Sequence, residues 1–373
     1  MHRPPAAVAL PGMTRVMRIP AGAALVAAGL LASVTLAAQE APDWRARLSV
    51  HGYVNQAYAV SDEHPIFGIP TEGTTEYRDV ALQLRYDHDR RNNAVVQFRH
   101  QRFGETRRKS DLVELDWAFY QRNVTDRLSL KAGRIPLPLG IFNEAEGAAT
   151  TSPFFRPPNE FYDRHYTSKT LDGVLGAVSL DGPGRWTFDV DGYAGRWALD
   201  QWASENEAEA NKAFGAQVWA NAPLSGVRIG AGAYRCEVKP DHGGSADYLM
   251  LHASVDADFD RWRVATEYLS GNLSTYGRYR AAYAQAGLQV TRRVSLHGRD
   301  AVARIEIPIN GHSVHTNLSE DLGISINYAF HPSLLVKLEG HTNDGLLRED
   351  QPLNFYDSPS RTRYLIASVV ATF

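Results

Sequence analysis

Asp189 and Asp191, in the stretch "DVDG" (Asp189–Gly192), are two carboxylates whose spacing could do chemistry. On an extended strand, residues two apart share a face, so the pair could hold a cation. The same spacing describes two inward residues of a strand with one wet face, and the rest of the sequence favours that reading. Other chemistries lack their parts: there is no G-x-S-x-G, no P-loop and no H-E-x-x-H. The 13 histidines are scattered without metal-ligand spacing, and the one cysteine, Cys236, allows no intramolecular disulfide. No cofactor, no metal and no enzyme activity is expected. What remains is a set of opposite charges on alternating strand positions. Arg47, Arg85, Arg99, Lys131, Arg263 and Lys337 face Glu114, Asp116, Asp189, Asp191, Glu267 and Glu339. Such side chains bind and orient polar solutes; they do not make bonds.

The elements that carry these charges read as strands. Period-two alternation recurs in "VALQLRYD" (Val80–Asp87), "VELDWAFY" (Val113–Tyr120), "GISINYAF" (Gly323–Phe330), "LLVKLEGH" (Leu334–His341) and the closing "YLIASVVATF" (Tyr364–Phe373). The polar stretch Asp200–Phe214 has too few apolar positions for a core-facing helix and reads as loop. Short turns rich in Asn, Asp, Gly and Pro lie at Asp87–Asn93, Asn123–Asp126, Asp181–Arg185, Asn221–Gly226, Asp258–Arg261, Thr291–Arg293 and His331–Ser333. Longer connections alternate with them: Ser61–Thr74, Gly104–Asp111, Pro136–Thr170, Arg196–Asn211, Glu237–Ala246, Gly271–Arg278, Ile307–Glu320 and Asn343–Thr362. Fifteen connections in strict short–long rhythm imply sixteen strands with both chain ends on the short-turn side. That is the layout of an all-β, antiparallel transmembrane barrel.

Lipid supplies the physical reason. A closed sheet satisfies every backbone polar group in hydrocarbon, and one parity of each strand must stay free of charge. Arg or Lys on that face near the midplane costs roughly 2–4 kcal/mol. Val80-Leu82-Leu84-Tyr86, Val113-Leu115-Trp117-Phe119, Leu322-Ile324-Ile326-Tyr328-Phe330 and Leu365-Ala367-Val369-Ala371-Phe373 pass this test. Arg134 and Arg235 fall on the apolar parity but at the ends of their runs. Wet inner faces explain the negative mean hydropathy. One uncharged apolar run, Ala21–Ala38, follows Arg15 and Arg18 and ends in small residues, which reads as a signal peptide over residues 1–38. Residues 39–373 then form the barrel. Cleavage removes three arginines and no acid, taking the net charge from −3 to −6, which leaves no basic footprint for nucleic acid. A soluble all-β periplasmic protein would share the alternation but not the turn rhythm.

The final strand, ending on Phe373, resembles the closing strand of Gram-negative outer-membrane proteins, in which the terminal aromatic is part of the signal read by the barrel assembly machinery. "LKAGRIPLPLGIFNEAEG" (Leu130–Gly147) and "SPFFRPPNEFYDRHY" (Ser152–Tyr166) resemble sixteen-stranded porins that include the phosphate-selective porin O/P type. The resemblance implies outer-membrane lipid as surroundings, a homotrimer, small-molecule solutes as cargo and a constriction made by an inward-folded loop. Pro136–Thr170, the longest connection, is that loop's best match. It carries Arg156, Arg164 and Lys169 against Glu144, Glu146, Glu160 and Asp163, a mixed set without the cationic excess of phosphate-selective members. The expectation is therefore a passive diffusion channel of weak charge preference. An anion channel selective for phosphate or carboxylates through Arg156, Arg164 and Lys169 is the alternative, and a barrel hydrolase is a third.

Overall fold

A computed structural model describes residues 44–104, 112–143, 152–163, 165–200, 207–240, 244–274, 277–309, 311–347, 353–354 and 357–373. The expected signal segment 1–38 lies outside the described residues. After a 3-10 turn at Trp44–Arg47 the chain forms β1 (Leu48–Ser61), β2 (Thr74–Asp87), β3 (Asn92–Phe103) and β4 (Glu114–Asn123). Then come β5 (Leu128–Pro136), β6 (Thr170–Asp181), β7 (Thr187–Leu199) and β8 (Ala208–Asn221). The second half holds β9 (Val227–Lys239), β10 (Ala246–Phe259), β11 (Trp262–Asn272) and β12 (Arg278–Gln289). It ends with β13 (Val294–Ile309), β14 (His312–His331), β15 (Leu334–Gly345) and β16 (Ser360–Thr372).

Each strand pairs antiparallel with its chain neighbours, and β16 closes on β1 in a single barrel. The closing register runs from Tyr53 opposite Thr372 to Ser61 opposite Tyr364. Phe373 extends the seam, its N–H donating to the Gly52 carbonyl at 3.1 Å while its own carbonyl accepts from Gly52 N–H at 3.0 Å. All seven short turns fall at the expected places. The outer face carries the apolar parity: Leu322, Ile324, Ile326, Leu338, Leu365 and Val369 are all exposed at the barrel exterior. Among the described residues no helix is long and apolar enough to cross a membrane; here the strands supply the span.

Four local readings are corrected. In β4 the register slips between Gln97 and Phe98, which pair with Trp117 and Leu115, so Asp116 is an extra residue in a bulge. Beyond it the faces swap: Trp117 is buried on the inner face beside Gln97, Phe119 follows it inward, and Tyr120 is exposed outside. The stripe Val113-Leu115-Trp117-Phe119 is thus not one face. Second, the expected loop Ile307–Glu320 is strand: β13 and β14 stay paired out to Ile309 opposite His312, with Gly311 at φ +81° beside the turn. Its inner side is apolar at Ile305, Ile307 and Leu318, but the bulge at Leu318 breaks the alternation, so no continuous apolar parity marked it. Third, the expected loop Asp200–Phe214 becomes β8 from Ala208. Fourth, Arg47 precedes β1 and donates to the His88 carbonyl at 2.7 Å instead of lining the interior. The outward Arg134 and Arg235 stand as expected at strand ends and face acids there, Asp172 at 3.9 Å and Asp247 at 2.9 Å.

The inner face is not uniformly wet. At the long-loop ends of β6 to β13, Leu171, Tyr193, Trp197, Tyr234, Leu269, Tyr279 and Tyr283 pack with Leu137, Leu139, Phe142, Phe161 and Tyr166 of the connection 137–169. Beside the seam, Tyr364 and Ile366 of β16 pack with Ile66 and Ile69 of the connection 62–73 and with Phe155. Each fully buried Leu or Phe contributes about 1.5–3 kcal/mol over leaving it in water. Toward the short-turn ends the inner wall is mixed, with Tyr53, Ala81, Leu335 and Val370 packed beside the seam and polar side chains elsewhere.

Candidate functional site

The connection 137–169 begins as a continuation of the β5–β6 hairpin and then turns inward. Leu137 N–H donates to the Lys169 carbonyl at 2.9 Å, and Asn143 Nδ2 ties the neck by donating to the carbonyls of Leu137 and Ser168 at 2.7 and 3.1 Å. Pro136 and Pro138 fix φ and withhold N–H groups, which ends strand pairing. Gly140, at φ +62°, makes the turn. A Cβ there would collide with the Glu267 carboxylate and sit 2.6 Å from the Tyr162 hydroxyl, so glycine is required sterically as well as conformationally.

Inside the barrel the segment is held at three points by inward side chains of the opposite wall. At the first, Gly140 N–H donates to Gln217 Oε1 on β8 at 3.0 Å and Ile141 N–H donates to Glu267 Oε1 on β11 at 2.9 Å. Glu267 also accepts from Ser254 Oγ at 2.5 Å, from the Tyr283 hydroxyl at 2.7 Å and from the Tyr162 hydroxyl. At the second, Lys337 Nζ on β15 donates to the carbonyls of Ser152 and Phe154 at 2.6 and 3.2 Å. Ser325 Oγ and Asn327 Nδ2 on β14 each donate to the Pro153 carbonyl at 3.0 Å, and Phe155 N–H donates to Glu339 Oε1 at 2.6 Å. Arg299 on β13 donates to the Arg156 carbonyl at 3.0 Å while lying 4.2 Å from the Phe154 ring centre. At the third, Ser319 Oγ donates to Glu160 Oε1 at 2.6 Å, Tyr279 donates to the Glu160 carbonyl, and Tyr234 donates to the Tyr166 carbonyl at 3.1 Å. Tyr166 stacks on Tyr279 with centroids 3.8 Å apart.

Arg156, Glu160 and Asp163 are each engaged by neighbours. The Arg156 guanidinium lies over Phe67, Tyr77 and Phe103 at 4.6, 5.7 and 5.8 Å, a cation–π seat. Glu160 is buried; burial first, then the neighbouring Asp321 carboxylate, raise its carboxyl above the usual carboxylate range. Burial and then Glu267 push the Tyr162 phenol well above its ordinary value. Asp163 is buried and caps its own turn, accepting from His165 N–H at 2.9 Å, with His165 Nδ1 at 2.7 Å from the same oxygen. Lys169 is half-buried at the neck. Glu144, Glu146 and Arg164 lie outside the described residues.

On the strands, Lys337, Glu339 and Glu267 meet the inserted segment, as above. Arg99 is buried on β3 between Asp79, at 2.5 Å, and the bulged Asp116, at 3.7 Å, with Glu114 opposite it in register and exposed. Gln97 Nε2 also donates to Asp116 at 2.8 Å. Nearer the short turns, Arg85 contacts Asp87 at 2.9 Å, and Lys131 lies 5.7 Å from the Phe119 ring centre. Asp189 accepts from Ser179 at 2.6 Å and Asn221 at 2.7 Å. Asp191 stands opposite Gln217. Asp256 bridges Arg228 at 2.9 Å and Arg263 at 3.5 Å. Asp189 and Asp191 do share one face, yet among the described residues no group of three His, Cys, Asp or Glu is placed to hold a metal. Sequence reading missed Asp79, Arg228, Asp256, Arg299, Asp321 and His341. His341 Nδ1 lies 2.8 Å from Asp321, which also accepts from the Tyr364 hydroxyl at 2.7 Å. All six sit on inward parity, a signal that placing the strands in register would have exposed.

No family model and no curated protein matches this chain. Solved structures do. OmpF of Salmonella typhi, in complex with daunomycin, aligns over 87% of this chain and 97% of its own at 13% identity and TM-score 0.61. The outer membrane channel DcaP of Acinetobacter baumannii covers the same shares at 8% identity and TM-score 0.60. The anion-selective porin from Comamonas acidovorans aligns over 87% of this chain and 99% of its own at 9% identity and TM-score 0.57. At such identities the likeness is one of fold, and the fold of this chain is that of the sixteen-strand outer-membrane porin barrel.

Proposed function

We propose that the chain is a passive diffusion channel of a Gram-negative outer membrane, passing small polar solutes and ions with weak charge preference. One observation carries the reading: the connection 137–169 is hydrogen-bonded through its backbone to inward side chains of β8, β9 and β11 to β15, so it narrows the lumen from within. The inner wall below it mixes Arg85, Lys131, Arg228 and Arg263 with Asp189, Asp191 and Asp256, which supports conduction of both ion signs. Arg156 is seated on aromatic faces, which favours weak preference over the anion-selective alternative. The similarity to porin barrels, one of them OmpT of Vibrio cholerae described as a trimer, supports a homotrimer handled by the barrel assembly machinery through Phe373. Membership of the phosphate-selective O/P group stays a proposal carried by the 130–166 motifs. The test is planar-bilayer conductance under a salt gradient. Ohmic steps with a reversal potential near zero are expected; a strongly anion-selective potential, abolished by neutralising Arg156, Arg164 and Lys169, would replace this reading with the alternative.

A further inference from the structure

Outward cations near the long-loop ends of the strands are mostly neutralised by a neighbouring strand. Arg102 pairs with Glu76, Arg134 with Asp172, Arg235 with Asp247, and Arg361 with Asp344. β12 and β13 break this arrangement. Arg280 on β12 stands directly opposite Arg304 on β13, and Arg278 follows on the same outer face one step nearer the loops. All three are exposed, and none makes an ion pair or hydrogen bond among the described residues. Opposed residues of an antiparallel pair have Cβ atoms about 5 Å apart, where like charges destabilise the pairing. Three outward acids stand near, Asp300 the farthest from the loops. Glu306 is the register partner of Arg278, and Glu320, opposite Val302, accepts from Asn317 at 3.3 Å; neither closes on an arginine. Below the arginines the same outer faces turn to Ala282, Ala284 and Val302, with Asp300 opposite Ala284. The exposed Asp300 and Glu320 lie among these small residues, so below the arginines the outer face is apolar only in part.

We propose that Arg278, Arg280 and Arg304 form a binding site for the phosphate headgroup of an anionic lipid whose acyl chains lie along Ala282, Ala284 and Val302. A phosphate between Arg280 and Arg304 turns their repulsion into two charge-assisted, bidentate contacts. Its acyl chains cover a strip of small side chains that bulkier lipid-facing strands do not offer. The site rests on the membrane reading above, since only an embedded barrel brings headgroups to this level.

The experiment uses the mature chain folded in nanodiscs of phosphatidylcholine with a minor fraction of phosphatidic acid, and counts lipids retained in native mass spectrometry. Phosphatidic acid is expected to be retained over phosphatidylcholine, with R280Q/R304Q lowering that preference about tenfold. R280K/R304K should keep most of it, E306Q should raise it, and R361Q, at a paired arginine on the same rim, should leave it unchanged. Heat-modifiable migration reports that each variant is folded. Equal retention in R280Q/R304Q overturns the site. Displacement by millimolar inorganic phosphate in detergent reassigns it to free anion and overturns the lipid assignment. A double variant that loses oligomers but not lipid makes the arginines a contact between copies and overturns it too. A chain that never enters the nanodisc defeats the membrane reading itself, a failure visible before any lipid is counted.

Discussion

Replacing Glu267 with alanine should release the inserted connection. The carboxylate accepts from Ile141 N–H, Ser254 Oγ and the hydroxyls of Tyr162 and Tyr283, and two of these donors belong to the segment 137–169. Ser254 can turn its hydroxyl elsewhere. The other three are left as buried donors without an acceptor, at about 1–3 kcal/mol each. Even at the low end this weakens docking by about 3 kcal/mol, a factor of about 150 in the balance between released and docked segment. Glu267→Gln keeps the shape and one acceptor oxygen and should lose only about 1 kcal/mol. Two readouts follow the release: single-channel current, which should become larger and noisier, and proteolysis within 137–169 of the folded barrel, which should accelerate. Glu267→Ala protein with wild-type current, noise and cleavage rate would refute the claim that this carboxylate holds the segment in place.

Gly140→Ala should act on the same anchor, because its Cβ meets the Glu267 carboxylate and the Tyr162 hydroxyl at φ +62°; cleavage in 137–169 checks it. Docking should also depend on pH through Glu160. Its carboxyl is raised in the folded state by burial and Asp321, so its contribution is complete below the ordinary carboxylate range and fades as pH rises through the raised value. Glu160→Gln should flatten that dependence of channel noise, and an unchanged profile would remove Glu160 from the explanation. The bulge in β4 is tested by brominated lipid: Tyr120→Trp should add quenchable emission, while Trp117→Phe should leave the amount of emission lost to quenching as it was.

Closure, strand number and the seven short turns were legible because lipid imposes a rule that each strand must obey separately. The rule fails where its cause is missing. At the β13–β14 tip a bulge at Leu318 interrupts the alternation and the outer face is polar, so His312–Glu320 gave no continuous parity to read. At Asp116 one added residue swapped the faces of β4, and Trp117 and Phe119 looked as suited to lipid as to a packed interior. The anchoring of the long connection was less legible. Glu267, Lys337 and Glu339 could be placed on inner faces from sequence, but their partners lie more than a hundred residues away, and only closure brings them together. Arg156 illustrates the same limit: its rings come from Phe67, Tyr77 and Phe103, on three separate parts of the chain.

Conduction requires that the lumen be a water-filled path. Asp191 lies on the inner face of β7, and its neighbour Val190 lies on the outer face. The native Cys236 is buried, which leaves an introduced thiol as the reactive one. In planar bilayers, a bulky water-soluble thiol reagent should reduce the open-channel current of Asp191→Cys and leave that of Val190→Cys untouched. Folded, inserted protein that carries no current, or a current blocked at position 190 and not at 191, would contradict it.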